Sequence, residues 1–129
     1  MKKELANRAD ITVFVDTFYG RVREDNLLGD IFNGILKDRW PEHLLKMYDF
    51  WETVLFAASA YKGSPFPKHA KMPVSKAHFD RWLHLFNTTL DDLFTGEKAD
   101  EARWRGEKMA EMFLHKIEYF QAHPDKLVL

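Results

Sequence analysis

Three side chains of this sequence have the types and placing that suit iron chemistry. His69 stands in Ser64-Pro65-Phe66-Pro67-Lys68-His69-Ala70-Lys71-Met72-Pro73, and the prolines on both sides restrict its backbone. His43 opens a long amphipathic pattern before that segment, and Tyr19 closes an apolar stripe in the pattern before that. An imidazole on a short, stiff segment, faced by a helix carrying a second imidazole, is how an α-helical protein holds a haem iron between two sides. The iron takes one axial nitrogen from the protein, and polar groups opposite govern a bound gas. The same segment also reads as a surface loop. Spacing by itself leaves both readings open.

The other histidines carry less. His115 and His123 lie among polar residues and read as solvated. His84 falls off the Phe79–Trp82–Phe86 face and reads as surface; His78, in the first turn of its helix, reads either way. His43 itself reads either as a site group or as a partly exposed helix residue. Other chemistries find no footing. The six glycines are scattered singly, so there is no phosphate loop. There is no His-Glu-x-x-His pair, and Ser59, Ser64 and Ser75 lie in no nucleophile elbow. Asp91 and Asp92 look like a solvated helix face. The absence of cysteine excludes disulfides, iron–sulfur clusters, thiolate zinc sites and covalent haem attachment.

The elements that must position these groups read as helices throughout. Asp10 is expected to cap a helix from Ile11 to Arg23, with Ile11, Phe14, Phe18, Tyr19 and Val22 on one face. Asn26 to Asp30 is expected to break the chain, and Ile31-Phe32-Asn33-Gly34 to form a short turn. Pro41 suits the first turn of a helix running to about Ala60, striped by Leu44, Met47, Trp51, Val54, Leu55 and Ala58. His43 lies one turn before Met47 on that face. Tyr61 to Pro73 holds one glycine and three prolines and leaves room for only a turn or two around His69. Ser75 is expected to cap a helix from Lys76 to Phe94, striped by Phe79, Trp82, Phe86, Leu90 and Leu93 and stopped by Gly96. The last helix is expected from Asp100 to Ala122, with Ala102, Met109, Phe113, Ile117 and Phe120 inward. No run alternates with period two, so no sheet is expected.

Composition sets the frame. The 129 residues suit one domain, 1–129, with an ordinary core. Lys and Arg total 19 against 20 Asp and Glu, a balance that suggests neither a nucleic-acid nor a membrane partner. There is no apolar run of membrane-spanning length and no signal-peptide core, so a cytoplasmic protein is expected. Eleven Phe, four Trp and four Tyr are many for a small chain. They serve either its own core or the walls around a flat apolar ligand.

Taken in order, Phe18-Tyr19, Val22-Arg23, Leu28-Gly29-x-Ile31-Phe32-Asn33, His43, Phe50-Trp51, Lys68-His69 with Pro73, and Trp82-Leu83-x-Leu85-Phe86 resemble a truncated haemoglobin, most closely the third group. The resemblance covers nearly the whole chain. It implies an all-α fold, a shortened globin built as a two-over-two helical sandwich around a b-type haem. It implies that His69 is the proximal iron ligand, and that Tyr19, His43 and Trp82 are the polar groups of the distal pocket. Phe32 would pack on the haem face. Met47 would shield the ligand, and Trp51 would touch the porphyrin or the core beneath it. Phe66 and Met72 would meet the haem beside His69, and Lys46 would reach a propionate. The glycine-pair motifs of other truncated haemoglobins are missing, as in the third group.

Such a pocket favours O2 strongly, since O2 gathers negative charge that a phenol and an indole N–H can stabilise by about 1–3 kcal/mol each. Tight, slow-releasing O2 binding suits redox chemistry or sensing better than transport. His43 gates the pocket, donates a hydrogen bond or binds iron itself; the sequence leaves these open. Three function classes follow. One is a haem protein for O2, NO and CO. The second is a haem enzyme, a nitric oxide dioxygenase or peroxidase, that needs an unidentified external reductase. The third is a haem-free helical interaction module.

Overall fold

The computed structural model describes residues 2–57, 61, 69 and 72–123. A short strand β1 (Lys3–Glu4) leads into helices α1 (Arg8–Glu24) and α2 (Leu28–Leu36). A 3₁₀ turn (Lys37–Arg39) precedes α3 (Trp40–Phe56). Helix α4 (Lys76–Leu93), strand β2 (Phe94–Thr95) and helix α5 (Glu97–Ala122) follow.

The helix starts are set by local hydrogen bonds. Asn7, not Asp10, caps α1: its side chain accepts the Asp10 N–H at 3.0 Å, which moves the start to Arg8. Asp10 lies inside the first turn, buried, where its carboxylate accepts the Ala6 N–H at 2.9 Å and pairs with Lys3 at 2.8 Å. The bond from Lys3 holds that carboxyl below its usual range.

The expected turn at Ile31–Gly34 is instead the middle of α2. Asp25 is the reason. Its carboxylate accepts the Leu27 and Leu28 N–H groups, each at 3.0 Å, so the break between α1 and α2 shrinks to Asp25–Leu27 and a new helix starts at once. Gly29 makes this corner passable: a Cβ there would stand 2.8 Å from the Arg23 carbonyl oxygen. Asp25 also accepts from Arg81 Nε at 2.5 Å, which ties α4 to the same corner.

Pro41 lies in the first turn of α3, as expected. The helix ends at Phe56, short of Ala60, because Ala57 turns left-handed (φ 55°). Lys98 Nζ donates to the Leu55 carbonyl at 2.6 Å, satisfying one of the terminal acceptors from α5. Ser75 caps α4, but Gly96 does not stop it. The chain becomes extended at Phe94 and pairs in parallel with β1, Lys3 opposite Phe94 and Glu4 opposite Thr95. Two residues are too few to show an alternating pattern, so this small sheet was not expected. Gly96 (φ 97°) instead leads directly into α5, which starts at Glu97 rather than Asp100.

Helix α1 packs on α3, and α4 packs on α5. The two pairs meet where α1 lies on α4 and α3 on α5, giving the two-over-two arrangement of a truncated globin. Aromatic rings fill the join. Phe14 meets Phe86 edge-on at 5.1 Å, Trp51 lies 5.3 Å from Phe86, and Trp82 stacks on Phe86 at 4.8 Å. Burying each phenylalanine contributes about 1.5–3 kcal/mol. Gly106 lets α5 come this close to α4, since a Cβ there would meet Phe86 Cε2 at 2.6 Å. Arg8 fastens α1 to α3 through Asp49 (2.7 Å) and Glu52 (2.9 Å), and Tyr48 donates to Asp16 beside it. Among the described residues no helix is long and apolar enough to cross a membrane.

Candidate haem cavity

The five α-helices of the described residues all contribute to one cleft of about 880 Å³, measured out to open solvent. Its lining joins Tyr19 of α1 to Leu28, Ile31 and Phe32 of α2 and to His43, Met47, Phe50 and Trp51 of α3. His69, Met72 and Val74 follow from the segment before α4. His78, Phe79 and Trp82 come from α4, and Met109, Ala110 and Phe113 from α5.

His43, Met47 and Trp51 recur every fourth residue, so α3 turns one edge into the cleft. The Tyr19 ring meets His43 edge-on, with centroids 4.9 Å apart and planes at 88°. Phe32 lies 6.1 Å from Tyr19. Behind this pair stands Trp40, 5.9 Å from Tyr19 and 5.6 Å from His43. Trp40 is buried and held fast: its indole N–H donates to Asn33 Oδ1 at 3.0 Å, and the Arg23 guanidinium lies over its ring at 4.7 Å. Burial pushes the Tyr19 phenol well above its ordinary pKa, with no hydrogen bond contributing to the shift. The hydroxyl is therefore neutral across the physiological range and is a donor to whatever occupies the cleft. Trp82 is held by stacking on Phe86 at 14° between planes and by the edge-on ring of Phe18 at 5.3 Å.

His69 enters from another element. Its ring lies 5.0 Å from that of Phe113 on α5. Its carbonyl accepts the Met72 N–H at 3.0 Å, and the Met72 carbonyl accepts the Val74 N–H at 2.9 Å. Gln121 Nε2 donates to the Val74 carbonyl at 3.2 Å, which anchors this run to α5.

Tyr19, Phe32, His43, Met47, Trp51, His69, Met72 and Trp82 are thus brought together in one cleft. Phe66, expected beside His69, lies outside the described residues. Lys46 is exposed and is not part of the lining. His84, His115 and His123 are exposed and do not line the cleft.

The sequence reading missed Trp40 and left His78 undecided. Trp40 precedes His43 by three residues and so shares its face, a signal hidden by its place at the helix start. His78 lines the cleft, and its ring is also part of a helix cap: the Ser75 N–H donates to its Nδ1 at 3.0 Å.

The donor set fits a haem. The walls are aromatic, aliphatic and thioether, and polar groups enter at a few points only. Three of these are imidazoles from different elements, His69 beside Phe113, His43 against Tyr19 and His78 on α4. Among the described residues no cluster of three His, Asp or Glu could hold a bare metal ion.

Comparison with known proteins agrees with this geometry. The family model of the bacterial-like globins matches residues 4–118. The chain is 32% identical over 127 residues to the group 3 truncated hemoglobin ctb of Campylobacter jejuni, covering 95% of this chain and 100% of that protein. It also matches the crystal structure of a group III truncated hemoglobin from Campylobacter jejuni, with a TM-score of 0.83 at 31% identity, over 91% of this chain and 95% of that one. The helical sandwich, its cleft and these relatives lead to one assignment: the chain belongs to the bacterial-like globins and is a truncated haemoglobin most like the third group.

Proposed function

We propose that the cleft holds one b-type haem through His69 and binds O2 and related diatomic ligands, NO and CO, beside Tyr19, His43 and Trp82. Membership of the globins supports haem-based ligand binding. The observation that carries the finer reading is the buried, neutral Tyr19 hydroxyl, which lines the same cleft as Trp82 and His43. Bound haem supplies the iron that takes the diatomic ligand.

The protein supplies the rest. His69 orients the ring plane through the run tied to α5. Phe32, Met47 and Trp51 exclude water, so a hydrogen bond made inside is worth more than one at the surface. Tyr19 would donate a hydrogen bond from its hydroxyl to the ligand atom that gathers charge, and Trp82 would donate one from its indole N–H. Trp40 keeps Tyr19 and His43 at their mutual distance. Two donors on one ligand give tight O2 binding and slow release, a pattern for redox chemistry or sensing rather than carriage. A redox role draws its electrons from an external donor.

Haemin titration tests this reading. Trp51 and Trp82 line the cleft, so their fluorescence reports what fills it. Quenching should reach its end point at one haemin per chain. An unquenched chain, or quenching that rises without an end point, would contradict the proposal.

A further inference from the structure

We infer that His78 is a second residue that holds the haem, donating from Nε2 to one of its carboxylates at the mouth of the cleft. The inference rests on the haem reading above and adds a residue to it. His78 lines the cleft, and its bonds to Ser75 lie on the exposed side of the structure, which sets its ring at the rim.

The ring is also fixed. The Ser75 N–H donates to Nδ1 at 3.0 Å, and the Ser75 hydroxyl lies 3.1 Å from the same nitrogen. The other half of the cap runs back from the His78 N–H to the Ser75 side chain. A ring nitrogen that accepts from a backbone N–H carries no proton, so the neutral ring carries it on Nε2. The rim is therefore given a donor whose direction is set before any ligand arrives. For the same reason Nε2 of this ring is not an iron ligand.

The ligand side makes the complementary demand. A haem is a flat apolar disc with two carboxylates on one edge. Buried without partners those charges are costly, so the edge must come out at the mouth, where a donor on the rim adds a hydrogen bond. Among the described lining residues there is no lysine or arginine, and Lys46, exposed one turn beyond His43, has no partner that fixes its direction among the described bonds. The tyrosine and tryptophan donors, Tyr19 and Trp82, are packed among rings, Tyr19 against Phe32 and His43, Trp82 against Phe18 and Phe86. Among the described lining residues, the donor with a fixed direction at the rim is His78.

Haem loss to an excess of apomyoglobin tests this, with haemin and with haemin dimethyl ester, whose carboxylates are capped. His78→Phe should release haemin about tenfold faster than the unaltered chain, the loss of one hydrogen bond to a charged group. It should release the dimethyl ester at the unaltered chain's rate, because that ligand has no carboxylate to lose. His78→Gln, which keeps an amide donor near the same place, should release haemin more slowly than His78→Phe. Equal acceleration for both ligands would overturn the inference and leave the ring a helix cap alone. No acceleration of haemin would overturn it too. If the unaltered chain takes up no haemin, the haem reading itself fails and His78 falls with it, an outcome visible before any variant is made.

Discussion

His69→Ala is expected to weaken haemin binding by a hundredfold or more, about 2.8 kcal/mol, and to recover the unaltered chain's spectrum only when free imidazole is added. The ring is held from two sides. Its carbonyl is tied to the Met72 N–H, the run beyond it is anchored to α5 through Gln121, and its ring rests near Phe113. Removing the imidazole leaves that mount intact, so added imidazole finds a shaped site. His84→Ala and His115→Ala should leave the spectrum unchanged, since both side chains are exposed and outside the cleft. Absorption spectra and haemin titrations of the three variants decide the matter. Haem retained by His69→Ala with the unaltered spectrum would remove the residue from its role.

The second large effect belongs to the other side of the cleft. Tyr19→Phe and Trp82→Phe should each speed O2 release by roughly tenfold or more, as expected for one good hydrogen bond lost. CO leaves little charge on its outer atom, so its release should change much less. The double variant should depart from additivity, because both donors address one small ligand and the loss of one lets the other shift. The packing argues that the effects will be local. Phe fills the ring volume of Tyr19 against Phe32, His43 and Trp40, so only the hydroxyl is lost. At Trp82 the stack on Phe86 survives in part and the indole N–H goes. Stopped-flow release of O2 and CO from the three variants is the check. Single variants that release O2 at the unaltered rate would return both residues to a role in packing alone.

Much of this site could be read from spacing because its parts lie on strong helical stripes. Ile11, Phe14, Phe18, Tyr19 and Val22 are all buried, and their period alone turns Tyr19 inward. The same period put His43, Met47 and Trp51 on one edge of α3. The roles of His69, Tyr19 and Trp82 came from the resemblance, not from period.

What escaped the reading was set by contacts between distant residues or by hydrogen bonds too local for a stripe. The helix through Phe32 exists because Asp25 caps it within two residues, where composition suggested a turn. The parallel pair of β1 and β2 joins residues about 90 positions apart, and no local pattern encodes it. Trp40 belongs to the site because Asn33 and Arg23 hold it there. His78 could be read as core or surface from its position. The capping bond from Ser75 is what turns its ring into a donor at the rim.

The most direct measurement is the visible spectrum of the haemin-loaded, reduced chain before and after CO. A haem fixed by His69, with a ligand face bounded by Tyr19, His43 and Trp82, predicts an intense violet band that CO shifts, saturating at one CO per haem. A loaded chain whose band CO leaves in place, or a chain with no such band at all, would contradict the account.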